Sequence, residues 1–449
     1  MPTFDEERFR FSLAGAVRCG PWTAAGLRAA VAAAGAGRAV RVPGLTARIL
    51  AAFAGPPDFA PLVAFLVADR GVTRALARAG GRPGVRWSAA RRAVMGDPPA
   101  RLGPLPVPAL ATDAALADWL GLSDGKLRWY ADPAGRNRDH PAGPLRTYRH
   151  RWVPKPRGRP RLLEIPKPGL KRLQRKILDD ILAHLPPHPA VHGFRSGRSV
   201  VTNAVPHCGK RVVVRFDLAD FFPSVPAVRV AYTFRALGYP PPVARLLAGF
   251  CTTRLPPDVW AARPRPPADG SDHATWQRLA TRHLPQGAPT SPALANLAAH
   301  RLDRRLAALA AKAGADYTRY ADDLTFSGGD DFARRIERVA ALVALVAGDE
   351  GFALNHRKTR AMRRGGRQHV AGVVVNARPN VPRPVFDNLK AILTNCARRG
   401  PAGENRGNHP DFRGHLAGRV AHVAAVNPAR GRKLRAVFDR ISWPPAAAG

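Results

Sequence analysis

Acidic residues are scarce in this chain. Its 449 residues include 32 Asp and Glu against 71 Lys and Arg, a formal net charge of +39. Such an excess is self-repulsive in isolation, and its natural complement is a polyanion, meaning nucleic acid. A drift of Lys to Arg in a GC-rich gene accounts for the Arg content but not for the shortage of acids. Cysteine is rarer still: Cys19, Cys208, Cys251 and Cys396 stand far apart. That spacing excludes a disulfide framework and a paired metal motif, and it suits free thiols in a reducing compartment. No apolar run reaches the roughly 18 residues needed to span a bilayer. Met1 to Gly20 lacks the basic-then-apolar order of an export signal. The expected location is cytoplasmic, with no membrane partner. Hydrophobic residues make up 45% of the chain, enough for a globular protein of two or three domains.

Residues 1–104 are Ala-rich, with apolar residues at helical spacing, as at Leu27, Val31 and Ala34. Gly and Pro separate the segments, so a small helical domain is expected there, without a catalytic constellation. A Pro-rich joint at Pro104, Pro106 and Pro108 opens a lead-in with a helix from Thr112 or Asp113 to Leu120 and another from Ser123. From Tyr148, the cations Arg149, Arg151, Lys155, Arg157, Arg159 and Arg161 alternate with apolar residues. This predicts a two-stranded ribbon turning near Gly158, and its density of cations suits phosphate. Leu170 to Leu185 reads as one amphipathic helix, and 252–283 as a Pro-rich surface insertion. His192 to Ser199 is Gly-bracketed and cationic, with Arg195 and Arg198, and Asn203 to His207 follows it.

Two stretches hold the acids that matter most. Val212, Val213, Val214 and Phe216 predict a buried strand with Asp217 at its end, where a carboxylate is costly unless paired or metal-bound. Side-chain alternation puts Arg215 and Asp217 on one face. Tyr317 to Phe326 predicts a hairpin with Ala321, Asp322 and Asp323 at its tip. Adjacent carboxylates repel, and a hard cation such as Mg²⁺ relieves that repulsion. Leu284 to Pro292 is a turn feeding a helix capped by Thr290 or Ser291, with Gln286 beside the site. Asp331 is expected to cap a helix that Gly348 closes, Asn355 to Thr359 forms a basic turn, Val370 to Asn376 a strand, and 377–449 three helices. This order of elements allows one sheet to bring Asp217, Asp322 and Asp323 together. Three carboxylates around two divalent ions suit in-line phosphoryl transfer to a 3′-hydroxyl.

On these motifs the chain resembles reverse transcriptases, and specifically those of bacterial retrons, from about Leu110 to the C-terminus. Val214 to Phe222 looks like the family's motif A, Leu284 to Pro292 like motif B, Tyr320 to Asp323 like motif C, and Leu354 to Thr359 like motif D. Arg161 to Pro166 is similar to the fingers motif, and Asn203 to His207 matches the retron Asn-Ala-x-x-His pattern. The retron Val-Thr-Gly appears as Val370-Ala371-Gly372, a departure that loses one hydroxyl. Five motifs in order are far more specific than any one of them.

The resemblance implies an α/β (α+β) right-hand polymerase. Fingers and an antiparallel palm sheet would span 148–376 and an α-helical thumb 377–449, preceded by the lead-in 105–147 and an extra α-helical N-terminal domain over 1–104. It also implies that Asp217 and Asp322 ligate two Mg²⁺ ions, with Mn²⁺ as a substitute, that Asp323 supports them, and that the Leu218 carbonyl faces a metal. Phe222 would be the gate that rejects a 2′-hydroxyl, and Phe221 would bind the nucleotide with it. Arg161, with Lys155 or Arg159, would grip the dNTP triphosphate, and Gln286 would touch the nucleotide and template. Lys358 would protonate the pyrophosphate, and Asn203, His207, Arg195 and Arg198 would meet the RNA. Implied partners are a structured noncoding RNA as template and primer, the nascent DNA, and an effector protein in antiphage defence. Two other readings stay open at this point. One is a group II intron-like or other prokaryotic reverse transcriptase, although this chain leaves little room after the thumb for the extension an intron-encoded protein carries. The other is an inactive RNA-binding protein, which would have no need of Asp217, Asp322 and Asp323 together.

Overall fold

The computed structural model describes residues 4–19, 22–34, 42–78, 95–96, 105–154, 160–264 and 272–443. The chain divides into two units, Met1–Val94 and Met95–Gly449. In the first, helices α1 (Phe4–Cys19), α2 (Ala24–Ala34), α3 (Leu45–Ala52), α4 (Phe59–Ala68) and α5 (Arg70–Arg78) bury Phe9, Leu13, Leu27, Ile49, Leu62 and Leu76. One ion pair braces that core. Arg48 forks onto both Asp69 carboxylate oxygens at 2.7 and 3.0 Å, and Asp69 also accepts the Val72 amide at the start of α5. The Arg48 hydrogen bond holds the Asp69 carboxyl below its ordinary range.

In the second unit, α6 (Asp113–Leu120) is capped by the Thr112 hydroxyl and closed by Gly121, and Ser123 caps α7 (Asp124–Ala131). Strands β1 (Tyr148–Val153) and β2 (Arg161–Pro166) pair antiparallel, Val153 opposite Arg161. The expected turn of this ribbon, with Lys155, Arg157, Gly158 and Arg159, lies outside the described residues. Then come α8 (Pro168–Asp180), α9 (Val200–Ala204), β3 (Val212–Ala219), α10 (Ala227–Ala236), α11 (Pro241–Cys251), α12 (Pro257–Ala261), α13 (Asp272–Ala280), α14 (Ser291–Ala298) and α15 (His300–Lys312). The chain continues through β4 (Ala315–Tyr320), β5 (Asp323–Gly328), α16 (Asp330–Arg334), α17 (Ile336–Asp349), β6 (Ala353–Leu354), β7 (Arg360–Arg363), β8 (His369–Val370) and β9 (Val373–Val374). Helices α18 (Arg383–Arg399), α19 (Phe412–Val426) and α20 (Pro428–Phe438) follow.

The central sheet runs β4-β5-β3, with β6 and β7 pairing the other edge of β3, all antiparallel. Strand β3 is buried on both faces, and its two faces differ in use. Val212, Val214, Phe216 and Leu218 enter the main core beneath α10, α11, α14 and α15. On the opposite face Val213 joins a second core with α18, α19 and α20, through Leu389, Leu393, Val420 and Leu434. Arg215 and Asp217 follow Val213 on that second face, where the cover ends and a cleft opens.

Several elements differ from the sequence expectation. The strand runs past Asp217 to Ala219, because β6 supplies partners for Leu218 and Ala219. The helix expected to Leu185 breaks at Ile181 into a short 3₁₀ turn. Thr290 is the N-cap residue of α14, as expected, but its side chain makes no cap hydrogen bond, and Ser291 Oγ donates to the Pro285 carbonyl at 2.7 Å, closing the preceding turn. Gly329, not Asp331, is the N-cap residue of α16, and the predicted single helix is interrupted at Arg335. The strand expected over 370–376 is a short hairpin, β8 and β9, turning through Ala371 and Gly372, both at positive φ. The 252–283 segment is more than a surface insertion. It carries α12 and α13, and it buries Leu255, Leu279 and His283 against β2.

Candidate active site

The hairpin of β4 and β5 turns through two residues, Ala321 and Asp322, with Tyr320 opposite Asp323. Asp323 is therefore a strand residue rather than part of the tip, and its direct partner across the sheet is Asp217 on β3. The Leu218 amide donates to the Asp322 carbonyl at 2.9 Å, which fixes the tip against β3; the Leu218 side chain is buried. Three carboxylates thus meet at the end of two neighbouring strands.

Each has different company. Lys358 Nζ reaches both Asp217 oxygens at 2.8 and 2.9 Å, and Arg215 donates to Asp323 at 2.9 Å. Asp322 has no ion pair among the described residues, and burial, then the Asp217 and Asp323 charges, push its carboxyl above the ordinary range. No group of three or more metal-ligating side chains is assembled among the described residues; Asp217 and Asp323 are turned to their cations. The donors nevertheless fit a divalent metal ion. They are hard oxygens, and the raised Asp322 carboxyl marks negative charge that the protein's own cations leave uncompensated.

Around them is one cleft lined by Arg161, Asp217, Leu218, Phe222, Gln286, Asp322 and Lys358. Asp323 faces an adjoining recess with Arg215 and Arg360. Arg161 is exposed at the start of β2, without an ion pair among the described residues. Gln286 is half-buried, and its carbonyl accepts the Glu164 amide of β2 at 2.9 Å. The next residue, Gly287, has φ 137°, and a Cβ there would lie 3.0 Å from the Glu164 carbonyl oxygen, so the loop needs glycine to approach β2. Phe222 is half-buried and lines the cleft. Its neighbour Phe221, expected with it on the nucleotide, is turned largely into the core, against Phe352 and under the Arg319 guanidinium.

The expected RNA contacts separate. Arg198 is exposed and Arg195 half-buried, whereas Asn203 and His207 are 1% and 0% exposed. His207 lies on the hairpin, with Nδ1 on the Ser327 hydroxyl at 2.7 Å and Nε2 on Thr318 at 2.8 Å. Its place corrects the expectation of direct contact: both ring nitrogens are already used inside the protein. Burial pushes the imidazole down to about 4. The unfolded imidazole titrates near 6.5, so His207 costs nothing above that pH and destabilises the fold as pH falls from about 6.5 toward 4. Denaturant melts at pH 7.5 and pH 4.5 are expected to show wild type losing on the order of 2–3 kcal/mol more than His207→Gln. Equal losses would contradict this.

Sequence reasoning missed what braces the hairpin. Arg319 and Asp303 are both 0% exposed and joined by two bonds of 2.7 Å. Arg319 also donates to the Ala321 carbonyl and to Asn296, and Tyr317 donates to Asp303. A second buried pair, Glu164 and His283 at 3.0 Å, joins β2 to the loop carrying Gln286. Arg278 on α13 also lines the cleft, 2.8 Å from Asp220.

A family model described as reverse transcriptase (RNA-dependent DNA polymerase) matches residues 153–383. Retron Mx65 reverse transcriptase of Myxococcus xanthus is 43% identical over 335 residues, 75% of this chain and 73% of that one. Retron Mx162 reverse transcriptase of the same organism is 38% identical over 349 residues, 74% of this chain and 68% of that one. Retron Ec86 reverse transcriptase of Escherichia coli is 32% identical over 239 residues, 53% of this chain and 66% of that one. The chain belongs to the reverse transcriptase family, the RNA-directed DNA polymerases, and within it to the retron enzymes. Its fold is accordingly a right-hand polymerase fold of mixed helix and sheet. RNA template and nucleotide substrates follow from the family, and no helix among the described residues is long and apolar enough to cross a membrane.

Proposed function

We propose that this reverse transcriptase copies part of a cognate structured noncoding RNA into DNA, priming from a guanosine 2′-hydroxyl to give a branched RNA–DNA hybrid, and that it serves antiphage defence with an accessory effector. The observation that carries the polymerase part of this reading is the meeting of Asp217, Asp322 and Asp323 beside one cleft that also holds Phe222, Arg161 and Gln286. The net charge of +39 favours a long polyanion in that cleft. In this reading the central sheet is the palm, β1 and β2 belong to the fingers, and α18 to α20 form the thumb.

Asp217 and Asp322 would hold two divalent ions, Mg²⁺ first and Mn²⁺ as a substitute, with Asp323 in support. When bound, such ions favour the attacking alkoxide and screen the triphosphate charge. The chain's own residues do the rest. Arg161 lines the cleft with no ion pair among the described residues and would bind phosphate through its guanidinium fork. Gln286, held by β2, sets the place of the nucleotide. Lys358, which lines the cleft, would leave Asp217 and donate a proton to the departing pyrophosphate. Lys155 and Arg159 remain proposed triphosphate contacts, and Arg198 and Arg195 proposed RNA contacts. His207 would serve the RNA through the hairpin it holds, and Asn203 through its backbone carbonyl, which accepts from Thr318 on that hairpin.

Phe222 is proposed as the sugar gate. Phe222→Ala is expected to admit ribonucleotides at least about ten-fold better, the effect of removing roughly 1.4 kcal/mol of steric discrimination. Single-nucleotide incorporation of rNTP and dNTP measures it, and unchanged discrimination removes Phe222 from that role. Priming is tested on co-purified nucleic acid. DNA joined to RNA through a bond that debranching enzyme cuts supports the retron product, and only linear DNA opposes it.

A further inference from the structure

Phe194 is held where folding alone would not leave it. Its backbone is left-handed, φ 59°, a strained conformation for a bulky residue. Its side chain is 50% exposed, although a phenyl ring gains by burial. The loop around it is braced. The His192 amide donates to the Arg319 carbonyl at 2.9 Å, the His192 ring meets the Thr202 hydroxyl at 2.9 Å, and the buried Asn296 amide donates to the Gly193 carbonyl at 3.0 Å. A Cβ at Gly193 would come within 2.6 Å of the Ala321 nitrogen, so only glycine lets this loop sit on the hairpin tip. The Phe194 ring lies 6.1 Å from Phe222 and 6.5 Å from Tyr320, and it lines the same cleft as Asp217 and Asp322.

Strain and apolar exposure together, on a braced loop, mark a side chain kept for a ligand. The ligand that suits an open phenyl face in a cationic cleft is a nucleobase, because every base offers a π-face. We propose that Phe194 is a stacking platform for the nucleobase at the primer–template junction, holding it between Phe222 and the hairpin turn. This rests on the cleft being the polymerase site. A primer 3′ nucleotide must lie within bonding reach of the incoming one. A ring between the proposed sugar gate and the hairpin therefore faces the primer-terminal base or its template partner.

The test uses the full chain with 2-aminopurine, whose fluorescence falls on stacking, placed either at the primer 3′ end or at the template position opposite. Wild type and Phe194→Trp are expected to quench one of the two probes, and Phe194→Ala and Phe194→Gly to restore its fluorescence. The two labels tell which strand supplies the base. In primer extension, the Ala and Gly variants are expected to lose about 5- to 150-fold in kcat/KM, the range for one base–aromatic stack. Phe194→Gly relieves the backbone and is expected to melt no lower than wild type. Extension within two-fold of wild type, unchanged fluorescence at both labels, or a melting temperature of Phe194→Gly that falls together with activity would each overturn the proposal. Absence of extension by wild type would instead count against the polymerase site itself.

Discussion

Asp322→Asn is expected to lower RNA-templated DNA synthesis by on the order of 10³-fold or more while leaving thermal stability equal or higher. The two effects have one cause. Burial and the neighbouring Asp217 and Asp323 charges raise the Asp322 carboxyl above its ordinary range, so its ionised form costs the folded state stability at neutral pH. The amide keeps the shape and removes the charge, which relieves that repulsion. It also removes a hard anionic oxygen of the kind that holds a divalent ion, the role proposed for Asp322. Thermal melts and primer extension on one preparation measure both. A variant that loses activity only in proportion to its loss of folded protein would show that Asp322 acts through the fold.

Asp303→Ala is expected to destabilise the protein by roughly 3–5 kcal/mol, because it leaves the Arg319 guanidinium buried and unpaired. Both partners are fully buried, so solvent screening does little to soften the loss. The double variant Asp303→Leu with Arg319→Met removes both charges and is expected to be more stable than Asp303→Ala alone. It is still expected to extend primers poorly, because the bond from Arg319 to the Ala321 carbonyl is gone and the hairpin tip is less firmly placed. Denaturant unfolding separates the two quantities. A double variant no more stable than the single one would mean that hydrogen-bond geometry, rather than charge burial, dominates this pair.

The residues that carry charge in the cleft were legible in the sequence because period-two alternation is local. Arg215 and Asp217 share a face for that reason alone, and Tyr317 to Phe326 declares a hairpin by its β-branched and aromatic content. The exact turn was not legible. Which of Ala321, Asp322 and Asp323 leaves the ladder depends on the register with β3. Buried polar pairs were harder. Asp303 sits on the apolar stripe of Leu302, Leu306 and Ala310, and Arg319 lies inside a strand. Each was a signal of a missing partner, but their pairing exists only once α15 packs on β4. His207 shows the same limit: its pattern in the sequence resembled an RNA-recognition motif, while its hydrogen bonds run to Ser327 and Thr318 across the hairpin. Phe194 could not be singled out at all, since exposure and positive φ are tertiary facts.

The central claim is that this chain makes DNA on an RNA template through the carboxylates of β3 and the hairpin. Its most direct test is dNTP incorporation on a primed RNA template by purified wild type and by Asp217→Asn, with Mg²⁺ present. Extension by wild type and background-level extension by a folded Asp217→Asn is the result expected. Equal incorporation by the two proteins would contradict it.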